Sequence, residues 1–276
     1  FERALRAAVR GEVSFDPVIR GIHATDASHY QVTPVCVVVP ADEDDCVAAL
    51  RVAHEHQVPI TPRGGATALS GQTFGPGMVI DVSKHLNRVL EVNDEQGWAR
   101  VQPGVVRDHL NAQLKTLGLQ FAPDPATSSR ATVGGMIGNN SSGTRSIVYG
   151  KTVDHLIACR FALPDGTVID AGACDDAAWQ AKAAGENINC EREIELYRGV
   201  KQLVLKHQDE IKQRYPKVMR RVSGYNLDAF VDGAGYTGPI GDYDDTHGPD
   251  KHRPWNLADL IAGSEGTLGF LLEAKV

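Results

Sequence analysis

The stretch that most restricts how this chain can fold is Pro62-Arg63-Gly64-Gly65-Ala66-Thr67-Ala68-Leu69-Ser70-Gly71-Gln72. It follows Val58-Pro59-Ile60-Thr61, an apolar run that reads as a short buried strand. A loop of glycines and small residues lets several backbone N–H groups turn toward one point, because no side chain blocks the approach. Such a concavity suits an anion, phosphate above all. Arg63 adds a permanent charge at the mouth of the loop. A surface loop that needs glycine only for its turns is the plain alternative. No Lys-Ser/Thr pair follows the glycines, so the loop is not a P-loop. The spacing of Gly64, Gly65 and Gly71 departs from G-x-G-x-x-G, which disfavours a Rossmann NAD site.

The chain has 276 residues, enough for one large core or two moderate ones. Its net charge is −7 and it has no long basic run, which argues against nucleic acid as a partner. A bound anion must therefore be held by local amides and a few arginines, against the field of the whole molecule. No stretch of some 18 apolar residues occurs, so no membrane span is expected. The first residue is Phe1 and no signal peptide opens the sequence, which predicts an excised piece of a longer protein. Cys36, Cys46, Cys159, Cys174 and Cys190 include no C-x-x-C pair. The expectation is unpaired thiols in a cytoplasmic chain, with no metal or iron–sulfur site in this piece.

Residues 1–29 read as a lead-in with a short helix from Glu2 to Arg10. Residues 30–95 predict a small α/β lobe. Val35–Val39 is its first strand, and Asp42 caps a helix whose first turn holds Glu43, Asp44 and Asp45. His54 and His56 on that helix point apart and read as solvated surface residues. Val58–Thr61 and Met78–Asp81 are further strands of this lobe. Residues 96–276 predict a larger lobe with an antiparallel sheet flanked by helices. Its expected elements are a strand over Trp98–Gln102, a helix from Val106 to Leu117 stopped by Gly118, and a hairpin over Arg160–Asp170. A long helix spans 191–215, with Ile194, Tyr197, Val200, Val204 and Ile211 as its buried stripe. Residues 232–254 read as a long loop, where His247 and His252 are surface residues or reach an active site.

Two further segments are dense in small residues. One runs from Phe121 to Gly143 and reads as a long loop of hydroxyl, amide and glycine positions. Such a surface can follow a flat polar ring and a ribityl-like chain. Tyr149-Gly150 comes next, with the aromatic either on a ligand or on the core. The other segment is Gly263-Ser264-Glu265-Gly266-Thr267-Leu268-Gly269. There Glu265 either accepts from a ligand hydroxyl or holds the N–H groups of its own loop. Phosphate alone would need one such loop. Three of them imply one large ligand gripped from several sides.

Taken in this order, the three segments resemble the FAD-binding domain of the vanillyl-alcohol oxidase/p-cresol methylhydroxylase-type flavoproteins. They are most similar to its branch of D-2-hydroxyacid dehydrogenases, which includes D-lactate and D-2-hydroxyglutarate dehydrogenases. Within that branch the chain resembles large bacterial enzymes with an FAD domain, a cap domain and a C-terminal iron–sulfur domain. Thr25-Asp26-Ala27-Ser28 with Tyr30, and Val222-Ser223-Gly224-Tyr225-Asn226-Leu227, belong to the same likeness. The resemblance implies an α+β fold of two lobes with FAD between them.

By the same resemblance, Arg63, Gly64, Gly65, Ala66 and Thr67 would wrap the pyrophosphate, and Gly71 and Gln72 would continue toward the flavin. Pro123, Asp124, Ser128 and Thr132, then Gly134, Gly135, Asn140 and Gly143, would line the isoalloxazine and ribityl side. Tyr149 and Gly150 would close the pocket, and Glu265, Gly266, Thr267 and Leu268 would complete it near the adenosine. The family's covalent members carry a His in the first loop. None stands here, which implies non-covalent FAD. Ala66 replaces a frequent Gly, and Asn140-Ser141-Ser142-Gly143 replaces Asn-Ala-Gly-Gly. The implied reaction oxidises a D-2-hydroxy acid to the 2-oxo acid by hydride transfer to the flavin. In the family the catalytic base, the substrate-binding Arg and any metal come from the cap domain, so no catalytic residue is expected in this chain. The electron acceptor stays open. Cytoplasmic placement, with peripheral attachment at the inner face of the membrane as an option, completes the expectation. An FAD-binding module without turnover and an NADPH-dependent sugar-nucleotide reductase of the same fold are the rival readings.

Overall fold

The computed structural model describes residues 1–186, 188, 190–218, 220–222, 224–232, 234 and 254–276. Ser223 and most of the expected 232–254 loop, with His247 and His252, lie outside the described residues.

Two sheets divide the chain. The first half of the small lobe comprises α1 (Glu2–Ala8), β1 (Glu12–Ser14), α2 (Pro17–Ile22), β2 (Cys36–Val39) and α3 (Glu43–Glu55). The Asp42 carboxylate caps α3 by accepting from Asp45 N at 3.1 Å, as its sequence predicts. Next come β3 (Ile60–Arg63) and β4 (Met78–Asp81). The sheet order is β1-β2-β4-β3, with β2, β4 and β3 parallel and β1 antiparallel at one edge. Part of the expected lead-in is thus a strand of this sheet. The strand expected over Val58–Thr61 sits two residues later, so Pro62 and Arg63 close a strand instead of opening the loop. Pro62 is tolerated because β3 is an edge strand, where no neighbour needs its missing N–H.

In the larger lobe β5 (Val89–Asn93) and β6 (Trp98–Val101) pair first, so residues 89–93 pair in this sheet and not in the small one. Then follow α4 (Arg107–Leu114), α5 (Val133–Gly138), α6 (Ser146–Tyr149), β7 (Ala158–Ala162) and β8 (Val168–Cys174). The helix expected from Val106 to Leu117 ends in a 3₁₀ turn over Lys115–Leu117, and Gly118 takes φ 73° as the expected C′ residue. After these come α7 (Asp176–Ala184), α8 (Glu191–Arg214), β9 (Trp255–Asn256), α9 (Ala258–Ile261) and β10 (Phe270–Lys275). The sheet is antiparallel, in the order β5-β6-β10-β7-β8-β9.

Helix α5 corrects the long loop expected over 121–143. Its glycines hide a helical stripe, since Val133, Met136 and Ile137 are buried at i, i+3 and i+4. Packing of that stripe outweighs the poor helix propensity of glycine.

Strand β10 joins the lobes. Phe270 and Leu272 enter the core of the small lobe, where they meet Met78, Ile80 and Leu50, while Ala274 belongs to the core of the large lobe. A cleft lies along the junction of the two lobes.

Candidate functional site

A cleft of about 390 Å³ runs between the lobes, within the size range of ligand sites. One residue from each small-residue segment, Gly65, Gly135 and Gly266, lines it. The three segments therefore surround one space, as their sequence spacing implied. Their contacts are direct. A Cβ on Gly64 would collide with Thr132 Oγ1, and one on Gly65 with the Arg130 carbonyl oxygen. These glycines let the first loop touch the second segment across the lobe junction. Gly266 packs on Pro62, and Glu265 N donates to Gly138 O at 2.8 Å. At the rim, Gln72 Nε2 donates to Glu265 Oε1 at 3.3 Å.

Backbone strain gathers here as well. Ala66, Asn140 and Glu265 take φ of 53°, 49° and 52°, one from each segment. For a residue with a Cβ this conformation costs roughly 1–2 kcal/mol. Such costs cluster where a site needs a fixed backbone. Asn140 is fully buried beside the cleft. Its Oδ1 accepts from Val153 N at 3.0 Å, and among the described residues its Nδ2 has no partner.

Among the described residues, the first loop offers a continuous run of donors free for an anion. The leading amides of α5 are engaged already: Val133 N donates to Val105 O at 2.8 Å, Gly134 N to Pro103 O at 2.8 Å, and Gly135 N to Thr132 Oγ1 at 3.3 Å. Among the described residues, no protein acceptor takes the N–H of Gly64, Gly65, Ala66, Thr67 or Ala68. Unpaired amides on a half-buried loop call for water or a ligand. Alongside them, Gly138 leaves room, since a Cβ there would meet only Glu265 Cα at 4.0 Å, while a Cβ on Gly135 would press on Thr132 Oγ1 at 3.2 Å. That empty strip beside α5 is the room a flat ligand needs. Val82, Ile261, Phe270 and Leu271 add apolar wall.

Arg63 lines the cleft, and its guanidinium is tied to main-chain carbonyls. Nη1 donates to Thr25 O at 2.8 Å and to His23 O and Thr73 O at 3.4 Å each. Burial lowers its pKa, and Asp81 and Asp26 oppose that shift. Beneath it the His23 ring lies between Ile19 O at 2.9 Å and Asp81 Oδ2 at 3.2 Å. Burial raises the Asp81 pKa, but hydrogen bonds from His23 and Ser83 outweigh it and hold the carboxyl below its ordinary value.

Of the expected site residues, Arg63, Gly64, Gly65, Ala66, Thr67 and Gln72 line the cleft. So do Thr132, Gly134, Gly135, Asn140, Glu265 and Gly266. The others stand outside its wall and hold its frame. Gly71, at φ 82°, packs on Phe74 and Tyr30. Pro123 O accepts from Arg107 Nε at 2.9 Å, and Ser128 Oγ donates to Asp108 Oδ2 at 3.1 Å. Asp124 accepts from Thr144 Oγ1 at 3.2 Å and Arg145 N at 3.1 Å, with Gly143 packed against it. Tyr149 O accepts from His155 Nε2 at 2.7 Å, and Gly150 turns at φ 81° beside Asp154. Thr267 Oγ1 donates to Ser264 O at 2.6 Å, and Leu268 packs on the large core. Sequence reasoning missed Val82, Pro103, Val222, Ile261, Phe270 and Leu271 as wall residues. The alternation of Phe270, Leu272 and Ala274 was the available sign for β10, and Val222 stood in a stretch tied to the family likeness but given no site role.

Residues 34–172 match the FAD binding domain family. D-2-hydroxyglutarate dehydrogenase of Pseudomonas putida is 39% identical over 100% of this chain and 26% of its own length. The Escherichia coli protein of that name is 36% identical over 92% of this chain and 23% of its own length. The chain thus spans about a quarter of the length of these curated relatives. Among solved structures, alkyldihydroxyacetonephosphate synthase superposes with a TM-score of 0.62 at 21% identity, over 99% of this chain and 39% of that one. The 6-hydroxy-D-nicotine oxidase of Arthrobacter nicotinovorans gives a TM-score of 0.54 at 20% identity, over 64% of this chain and 38% of that one. The match over residues 34–172 places this chain in the FAD binding domain family, and FAD is its cofactor; its two lobes and antiparallel large sheet give it the fold of the vanillyl-alcohol oxidase/p-cresol methylhydroxylase type.

Proposed function

We propose that the chain is the FAD-holding part of a dehydrogenase that oxidises a D-2-hydroxy acid of the D-2-hydroxyglutarate class to the 2-oxo acid. The observation that carries this reading is the 39% identity to a D-2-hydroxyglutarate dehydrogenase over 100% of this chain. The free amides of Gly64 to Ala68 would hold the pyrophosphate, where aligned N–H groups suit spread negative charge. The strip beside Gly135 and Gly138 would take the flat ring. Val82, Phe270 and Leu271 would keep water from its inner side. Bound FAD supplies a hydride acceptor. With no His in the first loop, the cofactor is held without a covalent bond. The base that takes the substrate's hydroxyl proton and the groups that bind its carboxylates are assigned to polypeptide outside this chain. Five free cysteines, four of them buried, suit a reducing compartment, and the cytoplasm is the proposed location. Among the described residues no helix is long and apolar enough to cross a membrane.

The test is anaerobic. D-2-Hydroxyglutarate added to the FAD-loaded full-length protein should bleach the visible flavin absorbance within a turnover, and the L enantiomer should not. A flavin that stays oxidised with the D enantiomer and bleaches with NADPH would overturn this function.

A further inference from the structure

We propose that Arg63 is a positioning residue: its guanidinium staples both ends of the 64–72 loop to the N-terminal segment and leaves the anion to the loop amides. This inference rests on the cleft as cofactor site only for its affinity arm.

The evidence is where the guanidinium donates. All three acceptors are main-chain carbonyls, and they come from two distant segments. Thr73 is the first residue after the loop and Arg63 the last before it, so one side chain closes the ring of residues between them. The carbonyls of His23 and Thr25 tie that ring to the segment after α2. The tie is doubled, because Thr73 Oγ1 donates to Asp26 Oδ2 at 3.3 Å, while Asp26 Oδ1 accepts from Ser28 N at 2.8 Å. On the strand side, Arg63 pairs in register with Asp81, whose carboxylate meets His23.

Held at one nitrogen by three carbonyls, the guanidinium is anchored against free rotation. Nη1 faces carbonyls, and Asp26 and Asp81 favour its charged form against the cost of burial. Its contribution is to reduce the conformations open to a loop of small residues, which would otherwise be numerous. Lysine keeps the charge but lacks the planar fork and the reach, so it cannot replace Arg63 in this role.

The test is amide hydrogen exchange in the full-length protein without FAD, on Arg63→Met, Arg63→Lys and Thr73→Val. The staple predicts that amides of residues 64–70 exchange about tenfold faster in both Arg63 variants and about threefold faster in Thr73→Val. It further predicts that FAD binds about tenfold more weakly to both Arg63 variants, with the salt dependence of wild type. Thr73→Val and Arg63→Lys decide the matter should Arg63→Met fail to fold. Unchanged loop exchange in these variants would overturn the proposal. So would near wild-type FAD affinity in Arg63→Lys beside a shallower salt dependence in Arg63→Met, the pattern of a direct anion ligand. Wild-type protein with no FAD affinity would instead refute the cofactor site, and the ligand-free exchange would still decide the staple.

Discussion

Replacing Gly138 with alanine separates folding from binding at one atom. Gly138 is the last residue of α5, it lines the cleft, and its φ is not among the positive ones. The new methyl would meet only Glu265 Cα, at 4.0 Å, so nothing in the folded chain must move. Alanine in a helix is favoured over glycine by roughly 0.5–1 kcal/mol. For the unfolding of a domain of about this size that corresponds to a Tm rise of about 1–4 °C without FAD. The same methyl projects into the strip assigned to the flat ring. Crowding a well-packed contact costs about 1–3 kcal/mol, so FAD should bind roughly 5- to 150-fold more weakly. Thermal unfolding of the ligand-free protein and a flavin fluorescence titration read the two effects. Raised stability with unchanged FAD affinity would show that the ligand lies elsewhere. Lowered stability would show that the space beside Gly138 is not open.

Gly65→Ala should behave oppositely, losing stability and FAD affinity together by about 1–3 kcal/mol, because its methyl meets the Arg130 backbone carbonyl across the lobe junction; an unchanged melt would contradict that contact. Ala66→Gly should raise ligand-free stability by about 0.5–1 kcal/mol, the relief at φ 53° less the entropy that glycine adds to the unfolded chain. Denaturant unfolding reads this, and a loss of stability would show that the Ala66 methyl packs productively. Burial raises the Asp45 carboxyl pKa, but the N–H groups of Arg10, Ala41 and Gly11 outweigh it and hold the carboxyl below its ordinary value. A depressed carboxyl stabilises fully above its unfolded pKa of about 3.9, and that contribution fades as pH falls through the folded value. Asp45→Asn should therefore flatten the acid limb of stability below about pH 4, and an acid limb identical to wild type would refute the role of Asp45.

The site was legible in the sequence at the level of segments. Glycine and small residues concentrate in three places, and that density reflects a real demand for close approach. Which glycine answers which demand was not legible. Gly64 and Gly65 need their bareness for Thr132 and Arg130, which lie in another segment, while Gly138 faces the open cleft. The partners of Arg63 were hidden for a related reason. They lie at His23 and Thr25, about 40 positions earlier, and a guanidinium beside a glycine loop gives no sign of them. Asp124 and Ser128 were placed on the ligand by resemblance, yet their hydrogen bonds run to Thr144, Arg145 and Asp108 within the frame. In the fold, the parallel strands and α3 followed from apolar runs and a capping acid. Strands β1 and β5 are short and half exposed, so they carry little periodicity to read. Helix α5 was masked by its glycines, although its buried positions keep helical spacing.

Amide hydrogen exchange of the full-length protein with and without FAD tests most directly whether one cofactor is held from three sides. Slower exchange on FAD addition is predicted in residues 64–70, 134–142 and 263–267 at once, with all three saturating at a single FAD concentration. Protection confined to one of these stretches, or appearing at a surface away from the lobe junction, would contradict it.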